Sequence, residues 1–136
     1  HFSSARCRGP WPTHQRTLTV NDVAPAPIAD VLPLRSETFA NGALYFSHAE
    51  QQIIDVISPS GTSLIQLCTD MHPWLALWSE PGADLLCIEP LFGTTDAPDF
   101  TGELRHKRGI VALQSGERFE CGFNFTVNAD EKGRAR

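Results

Sequence analysis

One carboxylate stands out among the residues able to do chemistry. Two apolar runs, Trp74-Leu-Ala-Leu-Trp78 and Leu85-Leu-Cys-Ile-Glu89, flank a Ser79-Glu-Pro-Gly82 turn, and the second run closes on Glu89-Pro90. If that second run is a strand, Leu85, Cys87 and Glu89 share one face and Leu86 and Ile88 take the other. Glu89 then ends an otherwise apolar row. Burial there suits a group that must accept and return a proton near neutral pH. The plainer alternative is a strand-end glutamate that reaches solvent, and residue types alone favour it.

Other side chains near this run have two readings each. Trp74 and Trp78 fall on one strand face, where an indole can stack on the apolar face of a bound ring or simply pack in a core. His72, in Asp70-Met-His-Pro-Trp74, can reach a cleft as an acid or ligand, or serve as a turn histidine. The cluster Arg105-His-Lys-Arg108 suits a phosphate, or a solvated loop. The five histidines show no H-x-H or H-x-x-x-H spacing, so no metal site is expected. No nucleophile elbow, phosphate-cradling glycine loop or dinucleotide fingerprint occurs. Asn124-Phe-Thr126 fits a glycosylation pattern but sits inside the best-patterned strand, which marks it as chance.

The elements that must position these residues read as short strands. With 136 residues, 41% of them hydrophobic and 20% charged, the chain falls in the globular range and has the length of one domain, over 1–136, or of part of a larger one. Five of the ten prolines lie in the first 33 residues. They make residues 1–35 mostly loop and leave only Gln15 to Val20 free to form a strand. Beyond Ala43, turn formers punctuate apolar segments at Ser58–Gly61, Glu80–Gly82, Gly93, Gly102, Gly109 and Ser115–Gly116. Strands are expected at Ser63–Thr69, Pro73–Ser79, Asp84–Glu89 and Gly109–Gln114, with two more around Ser47–Glu50 within Ala43–Ser58, a stretch whose spacing also fits a helix. Arg118 to Val127 alternates most clearly, with Phe119, Cys121, Phe123, Phe125 and Val127 predicting one buried face. Residues 128–136 read as a frayed tail. The fold class is all-β and antiparallel.

Composition narrows the partners. A net charge of −5 with scattered basic residues is not the footprint of a nucleic-acid binder. No apolar run approaches the roughly 20 residues that span a bilayer, and the first 30 residues hold no signal-peptide core. Cys7, Cys68, Cys87 and Cys121 are widely spaced and read as reduced thiols, so a soluble, cytoplasmic chain is expected.

The run Trp78-Ser-x-Pro-Gly-x-x-x-x-Cys-Ile-Glu-Pro90, then Gly93 and Asp96, then Gly102-x-Leu104-x-x-Lys107-x-Gly109-Ile110-x-x-Leu113-x-x-Gly116-Glu117, resembles the C-terminal part of the aldose 1-epimerase (galactose mutarotase-like) family. The similarity spans Asp70 to Val127. It implies a large antiparallel β-sandwich of the supersandwich type, with this chain supplying its C-terminal half. It also implies a cleft that binds a hexose and interconverts its α and β anomers without a cofactor. On this resemblance Glu89 is the catalytic base. The family's acid is a histidine in a His-Pro-Tyr-Phe-like segment, matched here only by His1-Phe2 with Trp11 following; the Pro and Tyr are absent. Asn41 stands near a sugar-contacting aspartate of many members, and Asp96, His72 and Trp78 are further candidates for sugar contact. A family arginine has no counterpart. The expected partners are a hexose or hexose-derived sugar and, to cover open strand edges, a preceding N-terminal segment or a second copy. Two other readings stay open: a non-catalytic carbohydrate-binding or regulatory module, and a hexose-phosphate epimerase.

Overall fold

The computed structural model describes residues 7–14, 17–18, 31–35, 37–47, 51–70 and 72–128. Eight strands and one 3-10 turn make up its regular structure: β1 (Arg8–His14), β2 (Thr17–Leu18), β3 (Leu44–Ser47), β4 (Gln52–Ile57), β5 (Ser63–Thr69), β6 (Trp74–Trp78), β7 (Cys87–Leu91), the 3-10 turn Leu104–His106, and β8 (Phe123–Val127). They form a five-stranded sheet in the order β2-β1-β3-β6-β7 and a three-stranded sheet in the order β4-β5-β8. Every pairing is antiparallel. No helix among the described residues is long and apolar enough to cross a membrane.

The sheets are held together by side chains that alternation sends inward. Phe46 on β3 and Leu75 and Leu77 on β6 meet Ile54 on β4 and Leu67 on β5, with Cys7 and Phe39 closing the cluster. The three-stranded sheet presents three cross-strand rows to this core: Gln52–Thr69–Phe123, Ile54–Leu67–Phe125 and Val56–Ile65–Val127. The five-stranded sheet carries a second cluster on its opposite, outer face, where Trp11, Leu18, Tyr45, Trp74 and Ala76 pack together. Both faces of β6 are thus buried, and four of its five residues are lost to solvent.

The β4–β5 hairpin follows the local sequence closely. The Ser58 N–H donates to the Thr62 carbonyl at 2.8 Å and the Gly61 N–H to the Ser58 carbonyl at 2.9 Å, which closes the expected turn. β5 has the bounds its residues predict, and β3 and β4 are the two strands expected on either side of Ser47–Glu50.

Other expectations are corrected. β1 runs through Pro10 and Pro12, where only a later strand was expected; of Gln15–Val20, the described part is the short β2. The prolines are tolerated because β2 covers β1 only at Thr13 and His14, and because the β1–β3 register shifts between Arg8 and Trp11, around Gly9-Pro10. Gly9 is required there: its φ is +148°, and a Cβ would lie 2.7 Å from the Phe46 ring. Gly109–Gln114 forms no strand, since no other described strand pairs with it, and Ile110, Val111 and Leu113 are exposed. β7 begins at Cys87, three residues later than expected, because the turn extends through Asp84. The strand expected over Arg118–Val127 is ordered as β8 only from Phe123, and all five of its residues are exposed rather than buried on one face. Asn128, placed in the frayed tail by the sequence, is tied to β5: its N–H donates to the Leu64 carbonyl at 2.8 Å and its Nδ2 to Ser63 Oγ at 3.1 Å. The rest of that tail lies outside the described residues.

Candidate functional site

Register places Glu89 opposite Ala76, Ala76 opposite Tyr45, and Tyr45 opposite Trp11, so one row crosses four strands of the outer face. Paired residues in adjacent strands share a face. Above and below the small Ala76, β6 carries Trp74 and Trp78, and β7 carries Leu91 and Cys87 beside Glu89. Trp11 and Trp74 meet edge to face at a centroid distance of 5.7 Å. The Trp11 indole N–H is buried and has no acceptor among the described residues. Trp11, Tyr45, Trp74 and Ala76 are themselves buried, so the part of this face open to a hydroxylated ring is Glu89 with the half-buried Trp78 beside it.

A loop following β7 lies over the same face. The Leu18 N–H donates to the Asp96 carbonyl at 2.9 Å, fastening this loop to β2. The Asp96 carboxylate pairs with Lys107 Nζ at 2.7 Å, and that ammonium also stands 5.8 Å from the Phe100 ring centre. Gly109 holds the Lys107 segment close, since a Cβ there would overlap the Phe92 carbonyl and φ is +74°. Burial raises the Tyr45 phenol above its ordinary range, and the Glu89 charge pushes the same way; a Thr95 backbone hydrogen bond and the Lys107 charge pull it back. Tyr45, Glu89, Lys107 and Asp96 are therefore one electrostatic neighbourhood, and at neutral pH Tyr45 is a phenol able to donate a hydrogen bond.

The residues singled out by sequence are distributed as follows. Glu89 shares its face with Cys87, as alternation requires, and it is exposed on β7, the edge strand of its sheet. Of the two readings of Glu89, the strand-end glutamate that reaches solvent is the one the structure shows. Trp78, half-buried, pairs with Cys87 one step along the row. Asn41 ends the turn before β3, at the Trp78 end of the sheet, where its carbonyl accepts from Thr13 Oγ1 at 3.4 Å. His72 lies at the opposite end, before Trp74. It is buried, with its ring 4.7 Å from Phe92 and Nδ1 3.3 Å from the Asp70 carbonyl oxygen. Asp96 is committed to Lys107. His1 lies outside the described residues. In the basic cluster, Arg105 pairs with Glu103 at 3.5 Å and Lys107 with Asp96, so two of its cations already face carboxylates. Three cavities, of about 350, 480 and 660 Å³, are formed by described residues, and Glu89 lines none of them.

Tyr45 escaped the sequence reading. It is the only tyrosine of the chain, and it falls between Ala43 and Ser47 on an alternating strand. Its significance depends on β3 pairing with β6, a contact between distant parts of the chain.

No described protein family matches this sequence, and no curated protein does. Among solved structures, the chain is similar to a galactose mutarotase related enzyme from Lactobacillus acidophilus, with a TM-score of 0.80 and 25% identity. The match covers 94% of this chain and 44% of that one, so this chain spans less than half the length of its neighbour. The architecture is thus an antiparallel, galactose mutarotase-like β-sandwich, represented here in part.

Proposed function

We propose that this chain carries the glutamate-bearing sheet of an aldose 1-epimerase-like site that interconverts the anomers of a free hexose. The observation that supports it is the placement of Glu89: it projects from the outer face, in one row with Tyr45 and Trp11 and beside Trp78. The Glu89 carboxylate takes the proton of the anomeric O1 hydroxyl while an acid gives a proton to the ring oxygen O5. The C1–O5 bond breaks, leaving an open-chain aldehyde and a hydroxyl at C5. Rotation about C1–C2 turns the other carbonyl face toward that hydroxyl, and ring closure reverses both proton transfers. His1 is the acid that the family resemblance names. Asn41, Trp78, His72 and Asp96 are the sugar contacts of this reading. The steps are acid–base throughout and call for no cofactor.

The hexose-phosphate alternative is weaker, because Lys107 and Arg105 already have carboxylate partners. A carbohydrate-binding module without turnover has one observation in its favour, the exposure of Glu89 outside the described cavities.

Polarimetry decides between them. Freshly dissolved α-glucose and α-galactose should equilibrate faster with the chain than without it. Glu89→Gln should lower that acceleration by about 10²-fold or more, the scale of a lost proton-transfer group. A near-normal rate in the variant would sink the assignment of Glu89. Sugar-induced thermal stabilisation with no acceleration would move the protein to the binding-module reading.

A further inference from the structure

Tyr45 has no part in the proton transfers written above, yet the fold sets it beside the group that makes them. Glu89 and Tyr45 pair with the two sides of Ala76. Adjacent strands lie about 4.8 Å apart, so the two residues stand roughly 10 Å apart at their Cα atoms, a gap that a phenol and a glutamate side chain span between them. Ala76 has only a methyl group to put in that gap, and it is 1% exposed, packed in one cluster with Tyr45 and Trp74. A larger residue at position 76 would stand between the phenol and β7. With alanine there, the Glu89 charge acts on the phenol across β6.

The phenol is also held from the loop that follows β7. The Leu18 N–H fastens that loop at the Asp96 carbonyl, and the preceding residue, Thr95, makes a backbone hydrogen bond to the Tyr45 hydroxyl. This bond favours the phenolate, so the Thr95 N–H donates and the phenolic oxygen accepts. The phenolic proton is not used by it and is free to be donated in turn. The charged groups that face the phenol are Glu89 from β7 and, from the loop, Lys107 with its partner Asp96. β1 and β6 contribute Trp11, Trp74 and Ala76, which carry no charge. An exposed glutamate on an edge strand has several staggered rotamers open to it, and a fixed donor on one side selects among them.

We propose that Tyr45 is a positioning residue for Glu89: with a hexose seated beside Trp78, the phenolic O–H donates to one oxygen of the Glu89 carboxylate and leaves the other to take the O1 proton. Its catalytic consequence rests on the sugar reading above, while its geometry rests on contacts within the chain alone.

Two measurements test it. Tyr45 is the only tyrosine, so an isotope label at the tyrosine Cζ gives one resonance that reports the phenol's ionisation. Glu89→Gln should move that titration to lower pH, because a repelling charge is lost; Lys107→Met should move it to higher pH, because an attracting one is lost. In polarimetry, Tyr45→Phe keeps the ring and should lower kcat by about tenfold with KM unchanged, within the loss that a misplaced catalytic group brings. A positioning residue acts only through its target, so the double variant Tyr45→Phe, Glu89→Gln should be no slower than Glu89→Gln alone. A merely structural role would slow it further. A phenol titration unmoved by Glu89→Gln, a near-normal kcat in Tyr45→Phe, or a double variant slower than Glu89→Gln would overturn the proposal. A wild type that does not accelerate mutarotation removes the sugar reading and this catalytic role with it; a Glu89-dependent titration in that same chain then places the failure in the reading and not in the contact.

Discussion

Glu89 and Cys7 show how differently two ionisable side chains fare in this fold. Glu89 stands on an open edge strand, whereas Cys7 is sealed in the core between the sheets, where burial pushes its thiol up to about 11. A thiol held neutral in the folded state ionises earlier in the unfolded chain. The unfolded state therefore loses its proton first, and stability falls as pH rises from about 9 to about 11. Tyr45, raised by burial, acts in the same direction. Denaturant melts at pH 8 and pH 10.5 should show the drop, and Cys7→Ala should flatten it. Alkylation at pH 8 should likewise reach the exposed Cys121 well before Cys7. A carboxylate at a strand end was legible in the sequence, because alternation alone decides which face it takes. Its exposure was the reading that residue types favoured, whereas the side chains that share its row depend on which strands pair.

At the scale of elements, the same distinction runs through every strand. Ser63–Thr69 could be read with its bounds because its residues, its turn and its nearest partner are all local. Phe119 to Val127 alternates as clearly, but alternation reports that a face is apolar and not whether anything covers it. The N-terminal prolines misled for a related reason: they exclude a strand paired on both sides throughout, and β1 is paired on both sides only at its end. β6 is the opposite case, buried on both faces. Leu75 on that strand is fully buried, so Leu75→Ala should cost about 2–5 kcal/mol in urea unfolding. The Lys107 segment is held by a close approach at Gly109, and Gly109→Ala, at φ +74° and against the Phe92 carbonyl, should destabilise by more than about 1 kcal/mol. The same change should separate Lys107 from Asp96, removing the salt dependence that an ion pair confers on urea midpoints.

For the molecule as a whole, the sheet order separates two exposed surfaces. The five-stranded sheet carries the row from Trp11 to Glu89 on its outer face, and the three-stranded sheet carries the uncovered β8 on its inner one. The all-β class and the mutarotase-like sandwich were legible in the sequence through short runs between turn formers and through the Cys-Ile-Glu-Pro segment. The neighbourhood of Tyr45, Lys107 and Asp96 was not, because it joins residues that only the pairing of β3, β6 and β7 brings onto one face. This arrangement has an optical consequence. All three tryptophans of the chain lie on the outer face of the five-stranded sheet, and none lies on the three-stranded one. Indole emission is then a selective reporter of that sheet: a ligand placed beside Trp78 should shift the spectrum, whereas one placed on the three-stranded sheet should leave it unchanged. A single fluorescence titration with glucose or galactose therefore reports on the face that carries Glu89.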